Sequence, residues 1–250
     1  MENASVLFIT GYNWHFESPE RRERYFKWSE GVYIPFRMKN PGLLEHSRYQ
    51  IMKKNPDYPE GITIQHFTNQ SGYDFRLKNQ ENVDVTRDMM TSWGTEWIWS
   101  GLYRLVKTVR RDIALPGKTR TAAQIVNAPL LHIEALDLDS AEYDRYAAWL
   151  YNAGSDIFTP LFMETTKLMG WDLFEWTGVV DDTYKDMLKI KKYPKYLSLL
   201  YFPSIEDFYD FEKSPGIAAF KRATKQILPD GLIYKWYVQY QLWEIHRREA

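Results

Sequence analysis

The same order of predicted strands and helices occurs twice along this 250-residue chain, and this repeat restricts the fold more than any other feature. In the first half, apolar periodicity predicts strands at 5–13, 43–52, 61–68 and 97–109, with helices beginning at Ser18-Pro19 and near Val83. In the second half it predicts strands at 130–138, 171–179, 195–202 and 232–245, with helices beginning after Asp139 and Ser204. Each half therefore has the order β-α-β-β-α-β.

This order is typical of the ferredoxin-like split βαβ unit, whose antiparallel sheet carries helices on one face only. The other face needs a cover, and a tandem copy in the same chain supplies one. The sequence thus predicts an α+β fold in which two ferredoxin-like repeats pack their sheets face to face as a barrel with a cavity between them. We expect the first repeat at 1–115, a linker at 116–129 that begins with Pro116-Gly117, and the second repeat at 130–250.

Charge and composition exclude several classes of protein. Lys and Arg total 32 and Asp and Glu total 33, so the formal net charge is −1 and no basic field favours nucleic acid or an anionic membrane. The absence of cysteine excludes disulfides, thiolate nucleophiles and cysteine-ligated metals. No apolar run is long enough for a membrane helix, and the N-terminus lacks the pattern of a signal peptide. We expect a cytoplasmic protein that binds neither nucleic acid nor membranes.

Aromatic residues are the unusual part of the composition. Ten Trp, 18 Tyr and 13 Phe make 16 % of the chain. Large aromatic cores explain this number, and so does a ring-lined cavity for a flat ligand. The final strand of each half carries rings at alternate positions, and we expect Trp99, Tyr103, Trp236 and Tyr240 either to pack the barrel or to contact the substrate.

Two segments resemble a known family. The segment 26–50, FKWSEGVYIPFRMKNPGLLEHSRYQ, resembles the signature of the dimeric α+β barrel superfamily, especially its EthD-like and antibiotic-biosynthesis-monooxygenase-like members. The segment 199–224, LLYFPSIEDFYDFEKSPGIAAFKRAT, is similar to the later part of the same domain. Tyr33 stands where family members often have a histidine, and the second half has MGWDLFEWTG (169–178) in place of the Arg-Tyr strand. The resemblance implies a barrel, a homodimer as one of its assemblies, and a small aromatic or hydrophobic substrate.

Polar side chains on the second predicted strand are candidates for catalysis. Because strand residues alternate between faces, His46 and Arg48 share a face with Gln50, and we expect this face to line the cavity rather than the helical layer. The histidine could move a proton, and the arginine could hold a carboxylate or an enolate. The alternative is that this segment is an edge or surface strand whose polar side chains are exposed to solvent. Tyr33 is a candidate proton donor and His66, in an otherwise apolar stripe, a candidate substrate contact.

The second half offers a separate pair. His132 and Glu134 are two residues apart on one strand, so the carboxylate could orient the imidazole. We expect Glu175 to approach them from the neighbouring strand and to contact the substrate. A metal site is not expected, and a packed histidine without function is the alternative.

These residues lead to several functional hypotheses. The main one is a cofactor-independent lyase, a decarboxylase or dehydratase, in which His46 or His132 moves protons while Glu134, Arg48 and Tyr33 assist. The alternatives are a cofactor-free monooxygenase, a haem-binding barrel and a non-catalytic binding protein. The nucleotide-binding, nucleophile-elbow and zinc-protease motifs G-x-G-x-x-G, G-x-S-x-G and H-E-x-x-H do not occur.

Overall fold

The computed structural model describes residues 6–111, 128–136, 141–179, 194–228 and 234–247. Its strands are β1 (Val6–Trp14), β2 (Leu43–Ile51), β3 (Gly61–Phe67), β4 (Thr95–Arg110), β5 (Leu130–Leu136), β6 (Gly170–Trp176), β7 (Tyr196–Phe202) and β8 (Tyr234–Arg247). Its α-helices are α1 (Pro19–Trp28), α2 (Ile34–Met38), α3 (Gln70–Lys78), α4 (Gln80–Ser92), α5 (Ala141–Trp149), α6 (Thr159–Thr165), α7 (Ile205–Glu212) and α8 (Pro215–Ile227). Two π-helical segments complete the described elements, π1 (Ser29–Tyr33) and π2 (Leu150–Phe158).

The strands form a closed barrel in the order β1-β3-β2-β8-β5-β7-β6-β4. Strand β3 pairs antiparallel with both β1 and β2, and β7 pairs antiparallel with both β5 and β6. This is the ferredoxin-like strand arrangement, present twice, and the predicted α+β barrel fold is confirmed.

The chain divides into two compact units. The first unit comprises 1–104, 177–192 and 242–250, and the second comprises 105–176 and 193–241. The long strands β4 and β8 therefore contribute to both units. Most of the predicted linker at 116–129 lies outside the described residues, as does the start of the helix predicted after Asp139, so the division at 116–129 stays a prediction.

Local sequence signals explain where most helices begin. Ser18 precedes Pro19, and its side chain accepts a hydrogen bond from the Arg21 N–H at the start of α1. Ser204 and Ser214 cap α7 and α8 in the same way. The sequence did not predict α3, which begins after Asn69, because its nine residues have little amphipathic character.

In both units, a π-helical segment is followed by one residue and then by a proline. In the first unit the Ile34 N–H donates to the Ser29 carbonyl, and in the second the Thr159 N–H donates to the Gly154 carbonyl. These are i→i−5 bonds. Pro35 and Pro160 have no N–H for the α-helical bond that would follow, and the wider turn accommodates this loss.

Each unit has an ion pair with a buried carboxylate on the sheet face that points away from its helices. In the second unit, Arg110 at the end of β4 binds both oxygens of Asp172, with N–O distances of 2.5 and 2.7 Å. Tyr201 also donates to this carboxylate, at 2.9 Å. In the first unit, Arg247 at the end of β8 binds Glu45, with an N–O distance of 2.7 Å. Glu45 and Asp172 are each the third residue of their strand.

Candidate functional site

The first unit contains a pocket between its sheet and its helices. Its aromatic lining comes from β1, α1, π1 and β4, namely Phe8, Tyr12, Tyr25, Tyr33 and Trp97. Its polar lining comes mainly from the strands and from α3, namely Thr10, Arg48, Thr63, Gln65, Arg76 and Thr95. Two of these described lining residues are arginines and none is a carboxylate, so the pocket is suited to an anionic aromatic ligand.

Arg48 is held at the pocket wall by several contacts. One of its terminal nitrogens, Nη1, donates to Ser29 Oγ at 2.8 Å and to Glu244 Oε1 at 2.6 Å, and Nη2 donates to Tyr25 OH at 3.4 Å. Its guanidinium lies over the Trp243 ring, with 4.6 Å between the guanidinium carbon and the ring centroid. Burial raises the pKa of Tyr25 to about 12, so this hydroxyl stays protonated at neutral pH. The arginine is therefore fixed in position where it lines the pocket.

His46 lies beside this pocket without lining it. Gln65 Nε2 lies 3.0 Å from His46 Nδ1, and the ring packs edge-on against Tyr33 with 6.1 Å between centroids. Gln65 and Tyr33 both line the pocket, so His46 supports two lining residues from behind. Burial, together with the positive charges of Arg48 and Arg37, holds the pKa of His46 well below its usual value.

This lowered pKa predicts an acid-sensitive stability. Unfolded His46 titrates near pH 6.5, whereas the folded form stays neutral to lower pH, so protons favour the unfolded state in between. We expect the free energy of unfolding to fall by roughly 1 kcal/mol per pH unit below about pH 6.5. His46→Asn keeps an acceptor for Gln65 and should lose this part of the slope. Urea titrations of both proteins at several pH values test it, and parallel curves would contradict it.

The second unit has its own pocket between sheet and helices. Glu134 and Ser198 line it from adjacent strands, together with Tyr146, Phe162 and Trp171. His132 is fully buried next to it, with Nδ1 3.0 Å from Gln239 Nε2. Its Nε2 lies 3.6 Å from Glu134 Oε1, which confirms that the two residues share a face.

The structure changes the expected surroundings of several predicted site residues. His46 and Arg48 face the helices of the first unit, not the opposite side of the sheet, because α1 and π1 cover their face. Glu175 does not approach His132, because β7 lies between β5 and β6. Its Oε1 instead lies 3.5 Å from Tyr196 OH at a separate surface groove.

The remaining predicted contacts lie on the faces that point away from the helices. His66 Nε2 is 3.9 Å from Glu45 Oε1. Trp99 and Tyr103 pack against each other in the first unit, with 6.0 Å between ring centroids. Trp236 and Tyr240 are buried in the second unit on the face opposite Glu134. None of these residues lines the two pockets described above, and their role as substrate contacts stays a prediction.

Three lining features were missed by sequence reasoning. Arg76 and its helix α3 were not predicted, and Gln65 was not recognised as a polar residue on the pocket face. The π segments place Tyr33 in the first pocket and Leu150 and Gly154 in the second. Prolines at 35 and 160, inside otherwise helical patterns, were the available signal for these segments.

Solved structures share this fold across nearly the whole chain. A predicted monooxygenase from Fusobacterium nucleatum is 11 % identical with a TM-score of 0.63, covering 99 % of this chain and 96 % of that one. An anthrone oxidase-like protein is 9 % identical with a TM-score of 0.64, covering 98 % and 94 %. A haem-binding protein from Thermus thermophilus is 6 % identical with a TM-score of 0.58, covering 97 % and 92 %.

This chain has the fold of the dimeric α+β barrel proteins. At such low identities the likeness shows the fold alone, and the EthD-like assignment stays a prediction. No protein-family model and no curated protein sequence matches the chain. Among the described helices, none is both long and apolar enough to cross a membrane.

Proposed function

We propose that this protein is a cofactor-free oxygenase that oxidises an electron-rich aromatic compound in the first-unit pocket. The observation that carries this proposal is the placement of Arg48 and Arg76 in an aromatic pocket with no carboxylate among its described lining residues. Such a site stabilises a phenolate or enolate, the form of a substrate that gives electrons to oxygen. The predicted monooxygenase and the anthrone oxidase-like protein with the same fold favour oxygen chemistry over the decarboxylase or dehydratase hypothesis.

The reaction balances without a cofactor when the substrate has an activated methylene group, because one methylene and one molecule of oxygen then give one carbonyl and one water. The methylene loses a proton to solvent, and the anion's charge spreads onto an oxygen held by Arg48 and Arg76. The carbanion electron pair forms a C–O bond to molecular oxygen, which becomes a hydroperoxide after taking up a proton. Loss of the second C–H proton then breaks the O–O bond and releases water. Tyr33 lines the pocket, and we assign to it a hydrogen bond to the oxygen adduct.

The roles of the other residues follow from their contacts. Arg48 and Arg76 hold the anion, and Gln65 is a polar contact for the substrate oxygen. His46 is a positioning residue, because it touches Gln65 and Tyr33 and does not line the pocket. Because the pKa of His46 is lowered, it binds a proton weakly and is a poor general base.

The buried histidines do not fit haem, which one protein of this fold binds. In the second unit, the His132 ring packs between Phe208 and Tyr237, with centroid distances of 4.6 and 4.4 Å. Glu134 Oε1 lies 3.6 Å from His132 Nε2, so a carboxylate is close to the nitrogen that would have to bind iron. His46 is fully buried behind Tyr33 and Gln65. No step of the proposed reaction is therefore assigned to haem.

Oxygen uptake with anthrone as the probe tests the proposal. We expect one molecule of oxygen to be consumed per anthraquinone formed, with water as the other product. Because this reaction releases no hydrogen peroxide, added catalase should return no oxygen. Boiled protein and buffer measure the spontaneous oxidation of the probe. The related substrate 1-naphthol tests whether a phenol without a methylene group also consumes oxygen.

Two results would overturn the proposal. The first is an oxygen uptake with both probes that does not exceed the spontaneous rate. The second is release of carbon dioxide or water from a carboxylated or hydroxylated analogue at equal rates with and without oxygen, which would restore the lyase hypothesis.

A further inference from the structure

We propose that the second-unit pocket binds a small aromatic amine in its ammonium form, so that the two pockets of this chain select ligands of opposite charge. This site is separate from the first-unit pocket and does not depend on the proposed oxygenase activity. Its walls are mostly apolar, with Tyr146, Phe162, Trp171 and Phe220 among them.

Glu134 is the charged group of this pocket. It is the one carboxylate among the described lining residues, which include no lysine, arginine or histidine, and its side chain is 19 % exposed. Within the described part of the chain, its nearest basic nitrogen is His132 Nε2 at 3.6 Å, which is too far for a hydrogen bond. A partly buried carboxylate without a hydrogen-bond donor is costly, and a ligand ammonium would supply that donor.

His132 provides an independent sign of a ligand site. This side chain is fully buried, and its Nε2 has no hydrogen-bond partner among the described residues. Its Nδ1 is held by Gln239, so the ring is fixed with Nε2 toward Glu134. Ser198 lies opposite Glu134 in the register of β5 and β7, and its Oγ already accepts from Trp171 Nε1 at 2.8 Å. The Glu134 carboxylate, the Ser198 hydroxyl and the Trp171 indole therefore line the same small pocket.

The pairing of the strands shows how the charge preference differs between the repeats. Thr63 pairs with both Arg48 and Thr10 in the first unit, and Ser198 pairs with both Leu173 and Glu134 in the second. Thr63 and Ser198 are each four residues before the phenylalanine that ends their strand, so the counterpart of Arg48 is a leucine and the counterpart of Glu134 is a threonine. The described lining of the second pocket includes no lysine or arginine, whereas the first includes Arg48 and Arg76. The aromatic walls add attraction for a cation.

Three probes of one shape test this inference: 2-phenylethylamine, neutral 2-phenylethanol and anionic 3-phenylpropionate. The indole N–H signal of Trp171, assigned with Trp171→Phe, reports on the pocket in NMR titrations. We expect saturable shifts of this signal with the amine, about tenfold weaker binding of the alcohol, and no saturable shift of it with the anion. Glu134→Gln should weaken amine binding by about tenfold or more.

Matched controls separate this site from general effects. Glu164→Gln removes an exposed carboxylate of the same unit and should leave amine binding unchanged. Arg48→Gln/Glu244→Gln alters only the first-unit pocket and should also leave it unchanged. Equal affinity for amine and alcohol, equal affinity of Glu134→Gln and wild type, or no saturable amine binding by the wild type would each overturn the inference. The comparison of amine with alcohol needs no variant, so it decides the question even if Glu134→Gln folds poorly.

Discussion

Replacing Arg48 by glutamine is expected to lower kcat/KM for oxygen-dependent turnover of anthrone by about 100- to 1,000-fold, because a preorganised donor to a developing oxyanion has an effect of this size in enzymes. Arg48 is 2 % exposed, lines the first-unit pocket and has few alternative conformations because Ser29, Tyr25 and Glu244 hold it. Initial rates of oxygen uptake at several substrate concentrations measure the change.

The ion pair with Glu244 requires a second variant. Arg48→Gln alone leaves the Glu244 carboxylate, with a 14 % exposed side chain, without this partner. Arg48→Gln/Glu244→Gln removes both charges, so it should regain thermal stability and still lack activity. Arg24→Gln, which changes an exposed arginine on α1, is the matched control and should retain wild-type rates. Near-normal turnover by the double variant would show that Arg48 does not stabilise the substrate anion.

Replacing Asp172 by leucine is expected to reduce the free energy of unfolding by about 3–5 kcal/mol. Asp172 is 2 % exposed and satisfies both terminal nitrogens of Arg110 and the hydroxyl of Tyr201. Without the carboxylate, the Arg110 charge remains in a largely buried position, where its desolvation is uncompensated. Urea unfolding monitored by tryptophan fluorescence measures the loss.

Two comparisons identify the cause of this loss. Asp172→Leu/Arg110→Met removes both charges and should recover most of the stability, since a buried ion pair is often replaceable by apolar residues. Asp144→Ala breaks the exposed pair with Lys195, whose N–O distance is 2.7 Å, and should cost less than about 1 kcal/mol. If the double variant were as unstable as the single one, lost packing rather than the unpaired charge would be responsible.

Much of the secondary structure was predictable because its signals are local. The predicted strands agree with β1 to β8 to within a few residues at each end, since alternation of apolar residues depends only on neighbours in the chain. Serine followed by proline likewise gave the start of α1. Helix α3 was missed because its short polar sequence is held by packing, including the close approach of Gly72 to Gly42.

The candidate site was only partly predictable. His132 with Glu134 and His46 with Arg48 were correctly placed on shared strand faces, because a strand alternates whatever surrounds it. The alternation does not state which face the helices cover, so the surroundings of His46 and Arg48 were predicted wrongly. Pairing Glu175 with His132 failed for a related reason, since the ferredoxin-like order inserts β7 between their strands.

The sequence by itself determined the order of elements, their duplication and the identity of the polar residues on each strand. The tertiary structure decided which of these residues meet. Arg48 and Glu244, or Glu45 and Arg247, are far apart in the chain and come together only when β8 lies beside β2. Such contacts depend on how whole strands pack, and the burial of apolar surface sets that packing. No local sequence pattern states which distant residues will meet.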